Sequence, residues 1–126
     1  MFGCIFGGFI GDAAGAYLEF MKTLPNADQV KAAMSMPGGG ILNVGPGQGT
    51  DDTEMQMAIL TALYETNHGL AENDRKLDVD KIAQWYQNWL HSQPFDYGTT
   101  TYQGLKPLYN SKKTYLAKKA ALDHNR

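Results

Sequence analysis

Gly45-Pro46-Gly47-Gln48-Gly49-Thr50-Asp51-Asp52-Thr53-Glu54-Met55-Gln56-Met57 joins a glycine-rich loop to the start of an apolar helical run. The alternating glycines let the backbone turn where a β-carbon would clash. Thr and Asp are good N-caps, and Asp51 with Glu54 has capping-box spacing. Carboxylates in the first turn are also favoured by the helix dipole. Capping accounts for one or two of these side chains. It accounts less well for two hydroxyls bracketing two adjacent carboxylates straight after three glycines. All these donors are oxygen, which suits a hard divalent ion such as Mg2+ or Mn2+ and not zinc. Helix capping and cation binding therefore stand side by side as readings of Thr50, Asp51 and Asp52.

Outward from this junction, the chain reads as all-α. A first helix is expected from about Ile5 to Met21, with Gly3, Gly7, Gly11 and Gly15 recurring every four residues. Each glycine costs about 1 kcal/mol in helix propensity, so close packing against another backbone is expected to offset them. Asp12 and Glu19 are seven apart and would share a face of that helix, bordering a floor of small residues. A short helix is expected over Asn26–Met34, and Pro37-Gly38-Gly39-Gly40 breaks the chain. The apolar run after Thr53 continues to about Asn67, where Gly69 is a natural terminator. Asp78 or Asp80 opens a further helix. There Val79, Ile82, Ala83, Tyr86, Trp89 and Leu90 make an amphipathic stripe, and Trp85 and Trp89 read as core. Pro94 ends it. In Pro94-Phe-Asp-Tyr-Gly-Thr-Thr-Thr101, residues alone favour an Asx-turn at Asp96, with Thr99 or Thr100 capping a helix that contains Tyr102, Leu105 and Leu108. A last helix is expected at about Ser111–Leu122. No strand pattern of any length occurs.

The 126 residues fit one domain or part of one. A net charge of −2 does not suggest a nucleic-acid binder. The charge is uneven: residues 1–105 hold 5 Lys/Arg against 12 Asp/Glu, while residues 106–126 hold 6 Lys/Arg against one Asp. A solvated helix face is the simplest meaning of the basic tail. The single Cys4 rules out an internal disulfide and fits a reducing compartment. The apolar start is interrupted at Asp12, short of a membrane span and without the basic flank of a signal peptide, so a soluble cytoplasmic protein is expected. The glycine loop looks like a phosphate loop but lacks its lysine and a preceding strand.

Three stretches together resemble the ADP-ribosylglycohydrolase family, the group that includes the dinitrogenase reductase-activating glycohydrolases. Gly7-Gly-Phe-Ile-Gly-Asp-Ala-Ala-Gly-Ala-Tyr-Leu-Glu-Phe20 is similar to that family's N-terminal Gly-Asp-Ala-x-Gly…Glu-Phe helix. Gly47-Gln-Gly-Thr-Asp-Asp-Thr-Glu-Met55 is similar to its Thr-Asp-Asp-Thr metal motif, and Pro94-Phe-Asp-Tyr-Gly-Thr-Thr100 to its Pro-x-Asp-x-Gly-x-Thr loop. The resemblance implies an all-α bundle with a dinuclear Mg2+ or Mn2+ centre that cleaves ADP-ribose from protein side chains, often arginine, or from small conjugates. It implies Thr50, Asp51 and Asp52 as metal ligands and Glu19 beside the reacting ribose. It places Asp96 near the scissile bond, as base or substrate-positioning group. Asp12 is read as structural, capping or bracing the first helix. Family members are usually more than twice as long, with a further Asn-Gly-x-x-Met-Arg-like stretch and a second Asp-x-Asp-Thr metal motif. Residues 1–126 are therefore expected to form a single partial domain, the N-terminal portion of the bundle, completed by a C-terminal half or a second chain. A non-catalytic ADP-ribose- or metal-binding relative and an inactive truncated fragment remain the alternative readings.

Overall fold

The computed structural model describes residues 2–109. Among them are five α-helices and no strand; a single isolated bridge joins Gly39 and Val44. The expected helix at Ser111–Leu122 lies outside the described residues. By its internal contacts the chain divides into two compact units, residues 1–53 and the residues from Glu54 onward.

In the first unit, α1 (Phe2–Gly15) starts earlier and ends sooner than the sequence suggests. Tight turns follow it, with Leu18 N–H and Glu19 N–H both donating to the Gly15 carbonyl, and Phe20 lies at a left-handed φ of 58°. The helix thus stops at its last glycine, ten residues before Pro25. Gly40 explains part of this. It lies so close to the turn that a β-carbon there would be 2.9 Å from both the Ala16 and Tyr17 carbonyl oxygens. The anticipated two-turn register between Asp12 and Glu19 is lost, because Glu19 belongs to the turn. The glycine stripe is corrected as well: β-carbons at Gly3, Gly7, Gly11 and Gly15 would meet nothing within 4 Å. Among the described residues no close backbone approach offsets their cost.

The short α2 (Ala27–Ala33) begins as expected, with Asn26 and Gln29 forming a reciprocal capping box at 2.8 and 2.9 Å. The loop after it turns back through Gly38, Gly39 and Gly40, all at positive φ, and Gly39 exchanges backbone hydrogen bonds with Val44. Ala13, Ala16, Ala33 and Val44 are the buried apolar residues of this unit. The core is built of small side chains, which lets loop and helix ends approach closely.

The long α3 (Asp51–Asn67) carries the chain from the first unit into the second. Gly69, at φ 79°, terminates it. Asn67 pins the following loop by accepting from Lys76 N–H at 2.7 Å and donating to the Lys76 carbonyl at 3.0 Å. Next comes α4 (Val79–His91), N-capped by Asp78, which accepts from Lys81 N–H at 2.9 Å. The last described helix is α5 (Thr99–Tyr109). Ala58, Ala62, Ala83, Trp89, Leu90 and Leu108 are the buried apolar residues of the second unit. Two indoles of α4 reach α3: Trp89 donates to Glu54 near its start and Trp85 to Glu65 near its end.

Candidate functional site

Asp12, on α1, holds the N-terminus of α3. Its Oδ2 accepts from the backbone N–H groups of Thr50 and Thr53 at 2.8 and 3.0 Å. The hydroxyls of Thr50 and Thr53 also donate to this carboxylate, at 2.7 and 2.5 Å. One side chain thereby satisfies two of the orphan N–H groups that a local cap would otherwise serve. This corrects two sequence expectations. Asp12 caps α3 and not its own helix, and the Asp51–Glu54 capping box is replaced, since Glu54 accepts from the Trp89 indole N–H at 2.6 Å.

Gly49 shows how tightly this junction is built. A β-carbon there would run into the Thr53 side chain and lie 2.7 Å from Asp12 Oδ2. Thr50 is 3% exposed and is the buried polar residue among those described. A threonine hydroxyl is buried at acceptable cost only when hydrogen-bonded. Because its proton goes to Asp12, its lone pairs are left for another partner.

The electrostatics follow from the crowding of carboxylates. Burial pushes the Asp12 carboxyl upward, but hydrogen bonds from the Thr53 and Thr50 side chains and backbones outweigh it and hold Asp12 below the usual carboxylate value. Asp52 moves the other way: partial burial raises it first, then the negative charges of Asp51 and Asp12. A divalent cation placed at these oxygens would relieve that repulsion. The donor set of Thr50, Asp51 and Asp52 therefore fits a hard ion. It fits as part of a coordination shell, because no group of three or more His, Cys, Asp or Glu side chains among the described residues converges on one point.

The other two sequence-derived site residues come from other segments of the chain. Glu19 lies half-buried in the turn after α1, in the same unit as Thr50, Asp51 and Asp52. Asp96 is half-buried in the loop between α4 and α5, in the second unit. That loop is braced by aromatic rings. Tyr97 meets the edge of Trp89 at 6.5 Å between centroids and stacks on Tyr102 at 5.3 Å.

These features define a class: an all-α protein with oxygen-bearing side chains at a glycine-loop-to-helix junction locked by a carboxylate from the first helix. The chain belongs to the ADP-ribosylglycohydrolase family, whose model matches residues 1–123. It is 38% identical over 104 residues to the ADP-ribosyl-[dinitrogen reductase] glycohydrolase of Rhodospirillum rubrum, a match covering 82% of this chain and 33% of that protein. It is 36% identical over 107 residues to the ADP-ribosylarginine hydrolase Tri1 of Serratia proteamaculans, covering 82% of this chain and 27% of that relative. The chain thus spans about a third of the length of the curated relatives it matches. No helix among the described residues is long and apolar enough to cross a membrane.

Proposed function

We propose that this chain forms one wall of a metal-dependent ADP-ribosylglycohydrolase site. The reaction is hydrolysis of the glycosidic bond that joins ADP-ribose to an arginine-type side chain or a small conjugate. The observation that carries this reading is the Thr50-Asp51-Asp52 triplet at the start of α3, flanked by the residues that bind Asp12: two hydrogen bonds from Thr50 and two from Thr53. The names of the relatives, one acting on ADP-ribosylated dinitrogen reductase and one on ADP-ribosylarginine, support the substrate class.

In this reading Thr50, Asp51 and Asp52 hold Mg2+ or Mn2+. The bound ion supplies Lewis-acid stabilisation of substrate oxygens and a water made nucleophilic near neutral pH. Glu19 lies beside the reacting ribose. Asp96 is the base or positioning group at the scissile bond, a role worth about 10²–10⁴-fold in rate. Three neighbouring ligands form part of a shell, so a further protein segment or second chain supplies the opposing ligands for a two-ion centre.

Titration calorimetry with Mn2+, paired with ADP-ribose release from ADP-ribosylated arginine, tests this. The chain alone should bind Mn2+ weakly and release no ADP-ribose; release should appear when the remaining segment of a relative is supplied as a separate polypeptide. Asp51→Asn with Asp52→Asn should abolish the heat. Asp96→Asn should abolish release and spare the heat. Heat unchanged in the double variant would refute the metal assignment.

A further inference from the structure

Trp89 is 7% exposed, and a buried indole N–H needs an acceptor. The acceptor is Glu54, in the first turn of α3, at 2.6 Å. Trp85, one turn earlier on α4, donates likewise to Glu65 at 3.0 Å, but that carboxylate is at the surface and also pairs with Lys81 at 3.5 Å. The two indoles thus bridge α3 and α4 by hydrogen bonds. Between the helices lies an open groove of about 270 Å³, bordered by Met57, Ala58 and Thr61 on one side and Asn88 on the other. The Trp89 ring borders this groove while staying buried. Its orientation is set by the bond to Glu54 together with the packing that buries it. The orientation matters because Trp89 also makes an edge-to-face contact with Tyr97, the residue after Asp96. Tyr97 in turn stacks on Tyr102 of α5, and Gln93, at a left-handed φ of 58°, fixes where the loop leaves α4.

We propose that Glu54 is a positioning residue: through the Trp89 indole and the Tyr97 ring it holds the loop that carries Asp96 in place. The functional meaning of this rests on the role of Asp96 given above; the mechanical coupling does not. A charge-assisted hydrogen bond is short and directional, and it suits this task better than an apolar contact.

The test uses the full chain, isotopically labelled, as wild type, Glu54→Gln, Glu54→Leu and Glu65→Leu. Three quantities are read by NMR: the Trp89 Nε1–H resonance, the nuclear Overhauser effect between the Trp89 and Tyr97 rings, and the backbone order parameters of Asp96 and Tyr97. Glu54→Leu should shift the indole resonance, weaken the ring–ring effect and lower the order parameters from about 0.85 to below about 0.6. Glu54→Gln, which keeps an acceptor oxygen, should retain all three. Glu65→Leu should move the Trp85 resonance alone. A displaced Trp89 resonance with an unchanged ring–ring effect and an equally ordered loop would overturn the proposal, as would a Glu54→Gln loop as loose as that of Glu54→Leu. Should Glu54→Leu not fold, Trp89→Phe deletes the N–H while keeping an aromatic ring, and the same loosening is expected of it. Because none of these readouts involves turnover, an Asp96→Asn variant that kept full activity would defeat the catalytic reading and leave the coupling standing.

Discussion

Four hydrogen bonds converge on Asp12, two of them from backbone N–H groups at the start of α3. Asp12→Ala strands those donors together and should cost about 2–4 kcal/mol, since each unsatisfied part-buried group costs about 1–3 kcal/mol and the effects overlap. Denaturant unfolding checks this, and an unchanged midpoint would contradict it. The pH dependence has a definite sign. The folded-state value of Asp12 lies below its ordinary 3.8, so the unfolded chain binds the proton more readily. The stabilisation is full above the ordinary carboxylate range and is lost as pH falls from there through the lowered folded value. Asp52 is raised, so its ionisation on going above its ordinary 3.8 opposes folding, and metal binding should weaken in acid as Asp52 takes up a proton. Acid unfolding of wild type against Asp12→Asn checks this, because the variant should lose the Asp12 slope and show a smaller Asp52 contribution, part of which comes from the Asp12 charge. Gly49→Ala is the second residue-scale prediction. The added methyl meets Thr53 and Asp12, which hold each other in place, so overpacking of about 1–3 kcal/mol is expected in the unfolding midpoint, with weaker Mn2+ heat. Sequence reading singled out the Thr50-Asp51-Asp52 triplet but left Asp12 with its own helix. The partners of Asp12 lie 38 and 41 residues away, a distance that local spacing rules do not reach.

Helices were legible where local chemistry decides them. The amphipathic stripe of α4 and its start at Asp78, the short helix α2 and the Gly69 end of α3 all follow from neighbours within a turn. Asp78→Ala should accordingly cost about 1 kcal/mol and lower the thermal midpoint without changing the rest of the helix content. A loss near zero by circular dichroism melting would mean that packing of Trp89 and Leu90 alone sets the start of α4. The end of α1 was illegible for the opposite reason. Nothing in Ala16–Phe20 breaks a helix by propensity, and the Gly40 loop that lies against this turn comes from a distant part of the sequence. Glu54 was misread in the same way, since its spacing suits a local box and its bond goes to an indole 35 residues on.

At the scale of the whole chain, the unusual feature is the apolar face of α1. Phe2, Phe6 and Ile10 each expose about half or more of their surface, and they fall at intervals of four residues on one stripe. Phe2 and Phe6 stack on each other at 6.4 Å, and the glycines beside them leave the backbone open to approach. Single exposed hydrophobics are ordinary, but a contiguous stripe is a drive to association. The 126-residue chain should therefore self-associate at micromolar concentration, which light scattering across a dilution series would show. Phe6→Glu with Ile10→Glu should return it to a monomer while the helical circular dichroism signal stays the same, because neither side chain belongs to the buried core. Such a monomer should also keep its Mn2+ heat, since the Asp12 contacts to Thr50 and Thr53 do not involve these residues. A wild-type chain that remains monomeric over the whole range would show that the exposed stripe lacks the area or the shape to bind a copy of itself.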